Sequence, residues 1–392
     1  MRVLIAPGSF KGSASAAAVA AALARGWLSV RPGDQVTRLP LADGGEGTLD
    51  VLAATAAGAR WRRARVTGPG GYPVHCRWLQ LPGQIAVAEL ARTSGLTLLA
   101  RPDPMRSQTT GLGEVLGRAL DHGARRILVG LGGSASTDGG TGALAALGAR
   151  FLDAAGQPLP PGGGALAMLA GADLRQLRPP PDRGVTCLAD VTAPLLGPGG
   201  AAAVYGPQKG ANPPQVARLE AGLARLARVL AGDPDAPGAG AAGGAGYGLA
   251  AGWGAAIVPG APELSRLAGL DRALARADLV ITGEGRFDAT SLTGKTPGSV
   301  IAAAVAAGVP VALVAGQLSG PARSAGSGPA TPRSAGSGPA TPRSAGSDPA
   351  TPPSVTRVVT LADLAGGPAA ALASPARWLR EAGRRLARET PG

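Results

Sequence analysis

Histidine, cysteine, lysine and aromatic side chains are all scarce in this chain, and each scarcity closes off a class of chemistry. The two histidines, His75 and His122, stand beside no nucleophile motif, which argues against a Ser-His-Asp triad and against a histidine-based zinc site. His75 falls in a β-like run and His122 at a helix end beside Gly123, where an imidazole suits the helix dipole, so both read as structural. Cys76 and Cys187 form no C-x-x-C pair and read as buried free thiols of a reducing compartment. Aromatics make up 3% of the residues, too few for base-stacking platforms. No apolar run reaches the roughly 18 residues of a membrane span without a breaker. The apolar start at residues 3–6 is too short for a signal peptide. The expectation is a soluble, cytoplasmic protein with no membrane and no nucleic-acid partner.

Charge is abundant but one-sided. Of 38 basic residues only three are lysine, and the net charge is +13. The arginines are scattered, dense only at residues 60–65 and near Arg384 and Arg385, and no zinc finger or RNP motif accompanies them. Such a field suits an anionic small substrate. Lys11, Lys209 and Lys295 each sit beside glycine: Ser9-Phe10-Lys11-Gly12, Gln208-Lys209-Gly210 and Gly294-Lys295-Thr296. In a chain that uses arginine almost everywhere, a compact ammonium on a flexible stem is a marked choice, and all three read as site residues.

At 392 residues the chain has room for about two or three domains. Residues 3–6 read as a strand ending at Pro7-Gly8, followed by an Ala-rich helix to about residue 30. A second strand at 35–39 leads into Asp43-Gly44-Gly45-Glu46-Gly47 and another helix. This β-loop-α alternation predicts a parallel sheet, with ligands at the carboxyl ends of its strands. Residues 60–90 differ: short β-like runs separated by Gly-Pro turns predict antiparallel pairing and a change of domain. Strands follow at 127–131, 185–189, 279–282, 309–314 and 356–360. Helices are expected at 113–122, 214–231, 262–276, 298–307 and 375–389. The decapeptide RSAGSGPATP at 323–332 recurs at 333–342 and, with Asp348, at 343–352. Its Gly/Ser/Pro/Ala composition predicts a disordered insertion, 320–354, without a chemical role.

The polar residues framed by glycine suggest one reaction type. They are Ser9 and Lys11; Asp43; Gly132, Gly133, Ser134 and Asp138; Asp190; Lys209; and Glu284, Arg286, Asp288 and Lys295. Glycine lets backbone N–H groups approach an anion, carboxylates beside phosphates suit Mg²⁺, lysines offset transferring charge, and a carboxylate can accept a hydroxyl proton. Together they fit phosphoryl transfer from a nucleotide to an alcohol. The stretch ending Gly294-Lys295-Thr296 is not a Walker A loop, because Ala289 stands where its first glycine belongs.

Five ordered motifs carry a resemblance. They are Ala6-Pro7-Gly8-Ser9-Phe10-Lys11-Gly12, Ala42-Asp43-Gly44-Gly45-Glu46-Gly47-Thr48, Gly132-Gly133-Ser134 with Asp138-Gly139-Gly140, Gly206-Pro207-Gln208-Lys209-Gly210-Ala211, and Ile281-Thr282-Gly283-Glu284-Gly285-Arg286-Phe287-Asp288. In this combination the chain resembles the bacterial class I glycerate kinases, from residue 1 to about 316. The resemblance implies ATP-dependent, Mg²⁺-assisted phosphorylation of D-glycerate, usually to 2-phosphoglycerate. A kinase for another small hydroxy acid, or a non-catalytic binder of glycerate or nucleotide, are the alternatives. It also implies an α/β fold of two domains with a cleft between them. One is Rossmann-like and mostly parallel, built from both chain ends (1–60 and 260–392); the other is a mixed α/β domain inserted at 61–259. Within this reading Asp190 is the first candidate for the base and Asp43 the second. Lys11, Arg286 and Lys295 neutralise phosphate or carboxylate. Ser9, Gly132, Gly133, Ser134, Asp138, Lys209, Glu284 and Asp288 bind substrate or phosphate, and Asp43, Asp190 and Glu284 are the Mg²⁺ candidates. The sequence leaves the oligomeric state open, a homodimer included. Gly8 stands where the family usually has Asp, and Ala193 where it usually has Asn.

Overall fold

The structure, a computed structural model, describes residues 1–292, 294–319 and 354–391. The tandem decapeptides at 323–352 lie outside the described residues. The fold is α/β with two main sheets. The first is five-stranded and wholly parallel, in the order β13-β12-β11-β1-β2. Its strands are β1 (Arg2–Ile5), β2 (Gln35–Arg38), β11 (Leu279–Phe287), β12 (Val311–Leu318) and β13 (Val355–Thr360). Both faces of its central strands are covered, which is why they read as continuous apolar runs. Val3, Ile5, Ile281 and Val314 pack under the helices Ala16–Leu28 and Pro375–Glu389. Leu4, Val280 and Leu313 pack on the opposite side, with Val300 and Ile301 of the helix Thr296–Ala306. The two covering helices touch through small residues: a Cβ on Gly26 would lie 2.0 Å from the Arg380 carbonyl oxygen. The Ala- and Gly-rich composition is thus used for close helix contact.

The second sheet is mixed, in the order β10-β9-β6-β5-β4-β3. Strands β3 (Arg60–Thr67) and β4 (Pro73–Leu81) form an antiparallel ribbon, and β4 runs antiparallel to β5 (Ile85–Glu89). From β5 onward the pairing is parallel, through β6 (Arg126–Gly130), β9 (Val185–Ala189) and β10 (Ala256–Pro259). A separate two-stranded ribbon joins β7 (Arg150–Leu152) and β8 (Gly171–Asp173). One face buries Ala86, Ile127, Val129 and Cys187 in the largest core. The other buries Leu79, Val87, Leu128 and Leu188 against Leu49, Leu52 and Leu264. Those three leucines come from the helices Thr48–Thr55 and Gly260–Ala268, on the terminal sides of positions 60 and 260. These two helices therefore pack on the second sheet, beneath the strands that carry the site loops.

Two expectations change, and one helix was not foreseen. The stretch 283–287 does not turn after a short strand. It continues β11, because its backbone pairs with Val314 to Leu318 of β12. The helix expected at 262–276 is broken at Gly269, whose φ of 84° no helix accommodates. The buried helical segment Ala241–Trp253 carries no amphipathic pattern. It is rich in Gly and Ala and begins with left-handed backbone at Ala242, Gly243 and Gly244. Among the described residues no helix is long and apolar enough to cross a membrane.

Candidate active site

The carboxyl ends of β1, β2, β6 and β9 face a common cleft, and the loops that follow them, with the end of β11, supply its polar groups. After β1 the chain is tied to β11, with the Ala6 N–H donating to the Ile281 carbonyl and the Gly8 N–H to the Gly283 carbonyl. It then folds into a tight loop closed by a bridge between Phe10 and Ala14. Phe10 is buried and anchors the loop, which leaves the neighbouring Lys11 side chain 70% exposed in the cleft. Loops from the second sheet approach to backbone contact. A Cβ on Gly132 would sit 2.7 Å from Gly45 Cα, and one on Gly130 2.6 Å from the Gly44 carbonyl oxygen. Glycine is required there because any side chain would push the Asp43 loop away from the loop after β6.

Lys11 Nζ stands between two carboxylates, 3.4 Å from Asp190 Oδ2 and 3.9 Å from Asp43 Oδ2. Asp43 Oδ1 accepts from the Gly45 N–H at 3.2 Å, which fixes the carboxylate over its own turn. Burial disfavours the Lys11 ammonium, but Asp43, Asp190 and, more weakly, Glu284 outweigh it and hold its pKa above the usual lysine value. Exposed ion pairs contribute about 0–1 kcal/mol to stability. Three charged groups from three distant parts of the chain are therefore hard to explain as a structural device.

Glu284, on β11, lies at the edge of this cluster. Burial pushes its carboxyl above the usual glutamate range, opposed by a hydrogen bond with Ser291 and by the Lys295 charge. Its Oε1 is buried with no hydrogen-bond partner. Next to it is a smaller cavity of about 290 Å³, where Arg286, Asp288 and Lys295 line one side and Leu372 and Pro375 the other. Lys295 Nζ donates to Thr290 Oγ1 at 2.9 Å, and Thr290 in turn donates to Asp288 Oδ1. Arg286 Nε donates to Ser319 Oγ. Ser9 and Lys11 line this cavity and both larger ones, of about 780 and 1060 Å³, so the three are lobes around one point.

The second lobe holds Gly132, Gly133, Ser134, Asp190 and Lys209. Lys209 is only 2% exposed. Its Nζ donates to Ser134 Oγ at 2.8 Å and to the Ser136 carbonyl at 2.5 Å. Burial pulls its pKa down to about 7, with only the Asp138 charge opposing. Lys209 thus pins the loop after β6 from behind. Asp138, expected among the substrate-binding groups, is instead fully buried. Its carboxylate accepts from the Thr109 N–H and hydroxyl and from the Gly140 and Gly142 N–H groups, so it fastens helix starts rather than facing the cleft.

Of the candidates named from sequence, Ser9, Lys11, Asp43, Asp190 and Glu284 are brought together. Lys295, Arg286 and Asp288 occupy the adjoining lobe. His75, read as structural, is exposed in the largest lobe, whereas His122 packs edge-on against Trp78. Both cysteines are free and buried, with thiols pushed up to about 11 and about 12 by burial. The sequence reading missed Arg63, Arg65 and Arg77, which line the largest lobe. The alternation Arg63-Ala64-Arg65 within a strand was the available signal.

Among the described residues no group of three His, Cys, Asp or Glu side chains is spaced to hold a metal ion alone. Mg²⁺ bound with phosphates needs only one or two carboxylates. Asp43 and Asp190, hard oxygen donors already facing one cation, fit that requirement.

The glycerate kinase family model matches residues 3–351. A Bacillus subtilis glycerate kinase is 43% identical over 334 residues, covering 81% of this chain and 86% of its own length. An Escherichia coli glycerate 2-kinase is 40% identical over 328 residues, with coverage of 81% and 86%. A crystal structure from Salmonella typhimurium LT2, described as a candidate glycerate kinase 2, superposes with a TM-score of 0.77 at 35% identity, covering 99% of this chain and 97% of that one. The chain belongs to the glycerate kinase family and is a kinase.

Proposed function

We propose that this enzyme transfers the γ-phosphoryl group of ATP to the 2-hydroxyl of D-glycerate, giving 2-phosphoglycerate and ADP. The observation that carries the reading is the Lys11 ammonium held between Asp43 and Asp190 at the meeting point of three cleft lobes. Asp190 accepts the hydroxyl proton as the glycerate oxygen bonds to the γ-phosphorus and the bridging oxygen leaves with ADP. Lys11 offsets the charge on the transferring group. Asp43 orients Lys11 and would hold Mg²⁺, which when bound neutralises phosphate charge and leaves Asp190 free to act as the base. Arg286 and Lys295 take anionic oxygens in the small lobe. Gly132, Gly133 and Ser134, fixed by Lys209, present backbone and hydroxyl donors.

The substrate is tested by an ADP-release assay with D-glycerate and a panel of other small hydroxy acids. D-Glycerate should give the highest kcat/KM. A higher value for another acid would replace glycerate in this reading, and calorimetric binding of ATP and glycerate without ADP release would replace catalysis with binding alone.

A further inference from the structure

The largest lobe extends away from Lys11 along the helix Thr48–Thr55 to the β3–β4 ribbon. There the register sets Arg63 opposite Arg77 and Arg65 opposite His75, with Trp61 on the same face by the two-residue strand repeat. Like charges directly opposite across an antiparallel pair are destabilising. Here Arg63 and Arg77 form such a pair with Arg65 beside them, all three arginines are exposed, and among the described residues none of the three forms an ion pair. Two of the acids that line this lobe, Glu89 and Asp50, both hold Arg92, at 2.6 and 2.5 Å, so neither pairs with a ribbon arginine. The site is also built rather than loose. The Arg77 guanidinium lies 4.2 Å from the centre of the Trp61 ring, with Arg92 5.5 Å from the same ring.

We propose that this arginine-lined lobe is a phosphate-binding site. The guanidinium fork matches phosphate oxygens in pairs, and an anion there would relieve the cross-strand repulsion. The ligand class is a phosphate ester or polyphosphate, either the tail of the nucleotide co-substrate or a free phosphorylated small molecule acting beside the reaction. Only the choice between those two sources rests on the kinase reading; phosphate binding by the ribbon does not.

The test uses the full chain, with Arg65→Gln, Arg77→Gln and the double variant. Pyrophosphate binding is followed by calorimetry at low and at 0.2 M salt. Each variant should weaken pyrophosphate about tenfold, and the salt dependence should shrink with it. In the absence of anion Arg65→Gln should keep the wild-type melting temperature, because the side chain is exposed and makes no ion pair, so lost binding is not lost folding. If the KM for ATP rises in parallel while the KM for glycerate holds, the nucleotide supplies the phosphate. If the KM for ATP holds while pyrophosphate binding is lost, the site serves a separate phosphorylated ligand. Unchanged pyrophosphate affinity in the double variant would overturn the proposal.

Discussion

Replacing Lys209 by methionine should change how the protein's stability depends on pH, by an amount set by the burial of one amine. Lysine titrates near 10.5 when solvated, and here the enclosing loop lowers it to about 7. Between these values the unfolded chain binds a proton that the folded one does not, so raising the pH favours the folded state. The slope from this group is about 1.4 kcal/mol per pH unit, and across the window it sums to about 5 kcal/mol. This contribution is complete above pH 10.5, falls as the pH drops, and is exhausted below about 7. Methionine has similar length and no charge, so Lys209→Met removes the slope. It also leaves Ser134 Oγ and the Ser136 carbonyl without the Lys209 Nζ donor, a loss of about 1–3 kcal/mol that offsets the two curves without supplying their difference in slope. Urea unfolding of both proteins at pH 6, 7, 8 and 9 isolates the effect, since every other titrating group cancels in the difference. Wild-type stability relative to the variant should climb steadily above pH 7. Two curves that stay parallel from pH 6 to 9 would show that Lys209 is not desolvated as described.

Three further outcomes follow from the site. Asp190→Asn should leave the circular dichroism spectrum and melting temperature near wild type and lower kcat by about 100-fold or more; turnover at the wild-type rate would remove Asp190 from proton transfer. Lys11→Met should cost at most about 1 kcal/mol of stability, because the side chain is exposed, while lowering kcat by about 100-fold or more, as measured by ADP release. Gly132→Ala places a methyl 2.7 Å from Gly45 Cα. It should lower stability by about 1–3 kcal/mol in thermal unfolding and lower kcat with it, since the Asp43 loop must retreat.

Much of the architecture was readable because the cues were local. Strands buried on both faces show as apolar runs, and the glycines that let Gly130 and Gly132 meet the Gly44–Gly45 turn stand beside the acids and lysines they position. Other features depend on partners that no local pattern reveals. Gly283-Glu284-Gly285 has the composition of a turn, yet β12 supplies a ladder that keeps it extended, so Glu284 and Arg286 project from a strand. The helical segment at 241–253 is held by close contact rather than by amphipathicity: a Cβ on Gly248 would fall 2.0 Å from the Gly139 carbonyl oxygen. Asp138 shares the sequence surroundings of a phosphate loop, but four hydrogen bonds turn it inward. The arginines of β3 and β4 are far from the glycine motifs in sequence, and only the register of the ribbon gathers them into the cleft.

Phosphorus NMR of the product decides whether the phosphoryl group goes to the secondary hydroxyl of glycerate beside Lys11 and Asp190. The enzyme is incubated with ATP, D-glycerate and Mg²⁺, and the new phosphomonoester signal is recorded with proton coupling. Transfer to the 2-hydroxyl predicts a doublet from the single C2 proton, absent with Asp190→Asn over the same interval. A triplet from the two C3 protons, or no phosphomonoester at all, would contradict it.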